Sequence, residues 1–87
     1  MDIDLDQVLR ALSHPERRQF VLACRDRPRA AGELAELSAL SLATVSEHLK
    51  VLRTAGLLVL DKQGRNWIYR TDPTVIAATL SGLRKLL

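Results

Sequence analysis

The spacing of apolar positions changes several times along the chain, and each change marks an element. Leu5, Val8, Leu9 and Leu12 recur at the intervals of a helix, which predicts a first helix over residues 4–12 with the early aspartates near its positive end. Ser13 and His14 interrupt it. Pro15 suits the first position of a second helix, capped by Ser13 or His14, running to about residue 25 and burying Phe20, Val21 and Cys24. Arg27, Pro28 and Arg29 break the chain. A short third helix is predicted over residues 31–37 with Leu34 and Leu37 inward, and residues 38–40 connect it to a fourth.

That fourth segment reads SLATVSEHLKVLRTAGLLVL from Ser41 to Leu60. Ser41 is an N-cap by type, and Gly56 supplies the left-handed residue that ends the helix. Leu42, Val45, Leu49 and Leu52 fall in one narrow arc at about 100° per residue. Ala43, Glu47, Lys50 and Thr54 point the opposite way, flanked by Thr44 and Ser46. Such short side chains let a helix sink into a DNA major groove, although small polar residues on one helix face are as often plain solvated surface.

After Gly56 the period falls to two. Residues 57–61 and 66–71 read as strands around Lys62-Gln63-Gly64-Arg65, a basic hairpin with glycine where a positive φ is needed. Trp67 and Tyr69 alternate on one face of the second strand and are expected to brace the hairpin against the domain. Asp72 and Pro73 open a last helix in which Ile76, Leu80, Leu83 and Leu87 make another apolar stripe. The order α-α-α-α-β-β-α is mainly helical with a small β-hairpin. Two helices joined by a short turn, the second exposing small polar side chains and followed by a basic wing, form a winged helix-turn-helix.

Composition narrows the possibilities. Eighty-seven residues suffice for one domain, residues 1–87, with a single small core. At 47% hydrophobic but 3% aromatic, that core must be built from Leu, Ala and Val, which suits packed helices. The net charge is +3 and the isoelectric point about 9.6. Asp2, Asp4 and Asp6 open the chain, Arg17, Arg18, Arg25, Arg27 and Arg29 crowd the next segment, and Lys50, Arg53, Lys62, Arg65 and Arg70 follow. Clustering of this kind is the footprint of a nucleic-acid binder. A lone cysteine, Cys24, excludes an intrachain disulfide and a stapled secreted scaffold. The acidic start and the absence of a long apolar run predict a cytoplasmic chain with no membrane segment.

The first and last helices carry more aliphatic surface than a small domain can hide, which predicts homodimerisation through both. A two-fold dimer would offer two reading helices about one DNA turn, roughly 34 Å, apart and so would read a pseudo-palindrome. The competing possibility is that both stripes pack on the monomer core.

Three segments carry a resemblance to ArsR/SmtB-type winged helix-turn-helix transcriptional regulators: LSHPERRQFVLAC from Leu12, ELAELSALSLATVSEHLKVLRTAGLL from Glu33, and GRNWIYR from Gly64. The central T-V-S-x-H-L-K-V-L-R-x-A-G-L is the most specific, and Arg17 takes the position of the family's arginine after the proline. The resemblance implies a dimeric repressor that binds operator DNA and often releases it when a metal or another signal binds. Here the chain departs from the family. Ala30, Ala31 and Gly32 stand where many metal sensors carry C-V-C, no histidine follows His48, and Cys24 has no cysteine partner. No metal, cofactor or small-molecule ligand is therefore expected. Leu42 replaces a usual glutamine.

For double-stranded DNA the expected contacts are Thr44 and Ser46, then Ser41, Ala43, Glu47 and Lys50. Hydroxyls serve base edges or phosphates, Ala43 can meet a thymine methyl, and Glu47 can accept from a cytosine amino group or else pair with Lys50 or Arg53. Lys50, Arg53, Lys62, Arg65 and Arg17 are the phosphate candidates, and Gln63 and Asn66 reach a minor groove from the wing tip. His48 and His14 read as structural, and Cys24 as an inert small hydrophobe. A winged-helix module that binds protein partners without reading DNA is the alternative. No enzyme is expected, since the chain holds no paired nucleophile and base, no glycine-rich phosphate loop and no clustered carboxylates.

Overall fold

A computed structural model describes residues 2–87 and contains five helices and a three-stranded antiparallel sheet. Helix α1 (Leu5–Ala11) begins at Asp4, whose carboxylate accepts the Gln7 amide at 3.0 Å. Pro15 opens α2 (Pro15–Asp26), with His14 in extended geometry as an N-cap that makes no side-chain bond. Strand β1 (Arg29–Ala30), α3 (Ala31–Ser38), α4 (Leu42–Thr54), β2 (Leu58–Gln63), β3 (Asn66–Thr71) and α5 (Pro73–Arg84) follow. Asp72 caps α5 by accepting the Thr74 amide at 2.9 Å. Among the described residues no helix is long and apolar enough to cross a membrane.

The strand order is β1-β3-β2, so the sheet is more than the expected hairpin. Residues 27–29 do break the helical path, but they lead into pairing: Arg29 lies opposite Tyr69 and Ala30 opposite Ile68. Pro28 disfavours helical geometry at Arg27, which is fully extended, and the chain continues straight onto the edge of β3. Arg29 then anchors the strand, its Nε donating to the Ala23 carbonyl at 3.1 Å and its guanidinium meeting Asp26 at 3.3 Å. Glu33 accepts the Ala30 amide at 3.2 Å and pairs with Arg27 at 2.8 Å, and both contacts lower its carboxyl pKa, the backbone bond most. These bonds fix where α3 starts.

Every helix and both long strands contribute to one core. Phe20, Val21 and Cys24 of α2 and Leu34 of α3 meet Val45, Leu49 and Leu52 of α4, closed by Val8, Leu57, Leu58, Tyr69 and Val75. Thr71 adds one buried polar tie, its hydroxyl donating to the Val21 carbonyl at 2.7 Å. Two leucines expected inside are outside. Leu37 is 62% exposed because the inward arc of α3 runs through Ala31, Leu34, Ala35 and Ser38. Leu42 is 56% exposed because it occupies the first position of α4, beyond the end of the core that Val45 reaches. In α1 the buried positions are Val8 and Ala11 while Leu9 is exposed, and in α5 they are Val75 and Thr79, leaving Leu80 58% exposed.

Candidate nucleic-acid interface

The connection between α3 and α4 is short because Ala39 adopts a left-handed conformation, φ 59°, and turns the chain at once. Ser38 steadies the turn, donating to the Ala35 carbonyl and accepting the Leu40 amide, each at 3.2 Å. Ser41 then caps α4, with the Thr44 amide donating to its Oγ at 3.2 Å. The far end of α4 closes as a Schellman motif. Leu57 N–H donates to the Leu52 carbonyl at 3.0 Å and Gly56 N–H to the Arg53 carbonyl at 2.9 Å, with Gly56 at φ 82°. Leu52 and Leu57 are both fully buried, so this cap also docks the helix on the core.

The hairpin is tighter than its sequence suggests. Lys62 and Gln63 belong to β2, paired with Trp67 and Asn66, so only Gly64 and Arg65 form the turn, with Gly64 at φ 62°. Lys62, Trp67 and Tyr69 share one face of this ribbon, the face directed at α4. Tyr69 is buried there and braces the sheet as expected. Trp67 does not: it is 47% exposed, and the Lys62 ammonium lies 4.4 Å from its ring centroid.

Between α4 and the hairpin runs an open groove. Leu42, Ser46, Glu47, Lys50 and Arg53 line one wall, Arg65, Asn66, Trp67 and Tyr69 the other, and Ala30, Ala31 and Gly32 its end. Six expected contact residues thus share one concavity: Ser46, Glu47, Lys50, Arg53, Arg65 and Asn66. Ala43 and Thr44 are exposed on α4 outside it, and Ser41 sits at its cap. Gln63 donates to Asp61 at 3.1 Å near the hairpin tip. Glu47 forms no ion pair among the described residues, with Lys50 or Arg53 or any other base, so its carboxylate is available. Lys50, Arg53 and Arg65 outnumber that acid, and the groove is positive. Leu42, expected on the inward arc of the helix, and Trp67, expected to brace the hairpin, line it instead. The signal for Leu42 was its place beside the cap, and for Trp67 its cross-strand pairing with an exposed lysine.

Arg17 lies apart, on α2, half-buried, its Nε buried without a hydrogen-bond partner. It faces His48, which packs against His14 at 5.9 Å and Phe20 at 6.2 Å between ring centroids. Burial lowers the His48 pKa, the Arg17 and His14 charges lower it further, and Glu16 opposes them. Cys24 is buried and its thiol is pushed up to about 11, mainly by burial, which makes it a poor nucleophile. Among the described residues no group of three or more His, Cys, Asp or Glu is arranged to hold a metal ion.

A capped reading helix reached through a tight turn, beside a basic β-ribbon, defines a winged helix-turn-helix protein. The family model described as "Helix-turn-helix domain" matches residues 12–61. The HTH-type transcriptional regulator Rv2034 of Mycobacterium tuberculosis is 40% identical over 78 residues, 90% of this chain and 73% of Rv2034. The HTH-type transcriptional repressor SmtB of the same organism is 38% identical over 64 residues, 74% of this chain, which spans about half (47%) of SmtB's length. Solved structures agree. An ArsR-like transcriptional regulator from Rhodococcus sp. RHA1 superposes with a TM-score of 0.85 at 27% identity, covering 94% of this chain and 77% of that one. A homodimeric winged helix-turn-helix DNA-binding domain, Mb0332 from Mycobacterium bovis, shares the fold at 23% identity with a TM-score of 0.78, covering 93% and 76%. The chain belongs to the ArsR/SmtB-type winged helix-turn-helix transcriptional regulators. Its function is DNA-binding regulation of transcription, and it is not an enzyme.

Proposed function

We propose that the chain is a single-domain cytoplasmic repressor that binds a pseudo-palindromic operator as a homodimer, with no metal switch. The observation that carries this reading is the groove between α4 and the hairpin, where Ser46, Lys50 and Arg53 face Arg65 and Asn66. A polyanion fits its charge, and the exposed face of α4 stands beside it with short side chains. In this reading Ser41, Ala43, Thr44, Ser46 and Glu47 meet the major groove. Lys50, Arg53, Lys62 and Arg65 hold phosphates, Gln63 and Asn66 approach the minor groove, and Arg17 contributes from α2. Exposed aliphatic side chains on α1 and α5, Leu9 and Leu80, with Leu86 and Leu87 just beyond α5, support pairing of two copies through those helices.

Selection of bound sequences from a random double-stranded DNA pool tests the reading. The expected product is a palindromic consensus with half-sites one helical turn apart. A pool that is not enriched at moderate salt overturns sequence-specific reading of an operator by this groove.

A further inference from the structure

Leu42 is the one large aliphatic side chain on the exposed wall of the reading helix that borders the groove. It occupies the first helical position, 56% exposed, one turn ahead of Ser46 and two ahead of Lys50 on the same wall. The groove it borders holds Lys50, Arg53, Arg65 and Glu47 beside the half-exposed Trp67, and Leu42 takes no part in the buried core. A leucine more than half exposed and outside the core adds little to folding, and beside phosphates it offers no hydrogen bond. In a major groove the hydrogen-bonding base edges would gain nothing from it either. The one apolar group that B-DNA presents there is the C5-methyl of thymine.

We infer that Leu42 is a specificity-determining residue that reads a thymine C5-methyl in each half-site; this rests on the DNA-reading function proposed above. Ala43, its neighbour, is shorter by three carbons and lies on α4 outside the groove wall, so the two side chains address different base pairs. The contact is apolar, so it selects the methyl and not the remaining edge of the base. Deoxyuridine, which lacks only that methyl, and 5-methylcytosine, which carries it on another pair, therefore separate it from hydrogen-bond readout.

The test uses the full chain and the duplex recovered from the random pool, with each thymine of one half-site replaced singly by deoxyuridine. Wild type is expected to lose about fourfold in affinity at one position, the value of one buried methyl. Leu42→Ala is expected to bind the thymine duplex correspondingly more weakly and to be indifferent to deoxyuridine at that position, while Leu42→Gln shifts the preferred base there in a repeated selection. Because Leu42 is outside the core, both variants keep the wild-type melting temperature. A wild-type protein indifferent to deoxyuridine at every position overturns the inference, as does a Leu42→Ala variant that keeps the full methyl sensitivity. Either result leaves DNA reading intact, whereas a pool without enrichment removes both.

Discussion

The Ser41 hydroxyl accepts the Thr44 amide at 3.2 Å and donates to the Thr44 hydroxyl at 2.9 Å. One side chain therefore starts the reading helix and also fixes a hydroxyl on its exposed first turn. Ser41→Ala removes both functions: the expected destabilisation is about 1 kcal/mol in urea unfolding, the usual value of an N-cap. Ser41→Asp separates them. It restores the cap and much of the stability, but its charge faces phosphates, so operator affinity in a shift assay is expected to stay low. Equal recovery of stability and affinity in that variant would contradict a position for Ser41 near DNA.

The positive groove makes a second expectation quantitative. Each phosphate neutralised steepens the fall of log K against log salt by about 0.9. Arg65→Ala, at the turn of the ribbon, and Lys50→Ala, on the facing wall, should each reduce the slope by about 1 per subunit, or about 2 in a dimer. The loss should be nearly the same on all DNA sequences. Leu42→Ala, by contrast, should leave the slope unchanged. An unaltered slope in both cationic variants would show that the groove walls do not carry the backbone.

Much of this arrangement is legible in the sequence where one local rule decides the outcome. Ser41, Asp72 and Gly56 mark helix ends because cap chemistry needs only neighbouring residues. The buried arc of Val45, Leu49 and Leu52 follows from period alone. What the period does not reveal is where the core stops. Leu37 and Leu42 carry the right spacing, but each lies just beyond the reach of neighbouring elements. Strand β1 was invisible because two residues hold no alternation, and its partner β3 lies some forty positions away. Trp67 reads as a brace by alternation with Tyr69, yet the sheet extends past the domain edge at that point and leaves the indole beside Lys62.

His48 gives the fold a pH dependence whose sign is fixed by its surroundings. Burial, Arg17 and His14 disfavour its protonated form, and the opposing Glu16 does not reverse the shift, so its pKa in the folded chain lies below the ordinary 6.5. The unfolded chain then binds this proton more tightly, and stability rises with pH across the interval between the two values. The contribution is fully present above 6.5 and is lost as pH falls through the depressed value. Urea midpoints measured from about pH 5 to 7.5 should climb with pH in the wild type. They should climb less in His48→Gln, which keeps a polar side chain of similar length without the titration. Identical profiles would assign the dependence to other groups.

In the proposed pairing through α1 and α5, Leu80 is placed to lie between the two copies. It stands on α5 beside Ile76, 58% exposed, and with Leu22 of α2 it borders an apolar depression on the protomer surface. Leu80→Glu places a carboxylate there without disturbing the buried Val75 and Thr79 on the other side of the helix. A protomer that keeps the wild-type helical content by circular dichroism but sediments as a monomer, with a melting temperature lowered only by loss of its partner, is the expected result. Operator affinity should then fall about a hundredfold or more, because the second half-site is no longer bound as part of the same molecule. Leu37→Glu provides the control. It removes an equally exposed leucine from α3, away from α1 and α5, and should leave the assembly a dimer. If Leu80→Glu sediments as the wild type does while Leu37→Glu dissociates, the interface lies on the helix-turn-helix side instead, and the two reading helices could not address adjacent turns of one operator.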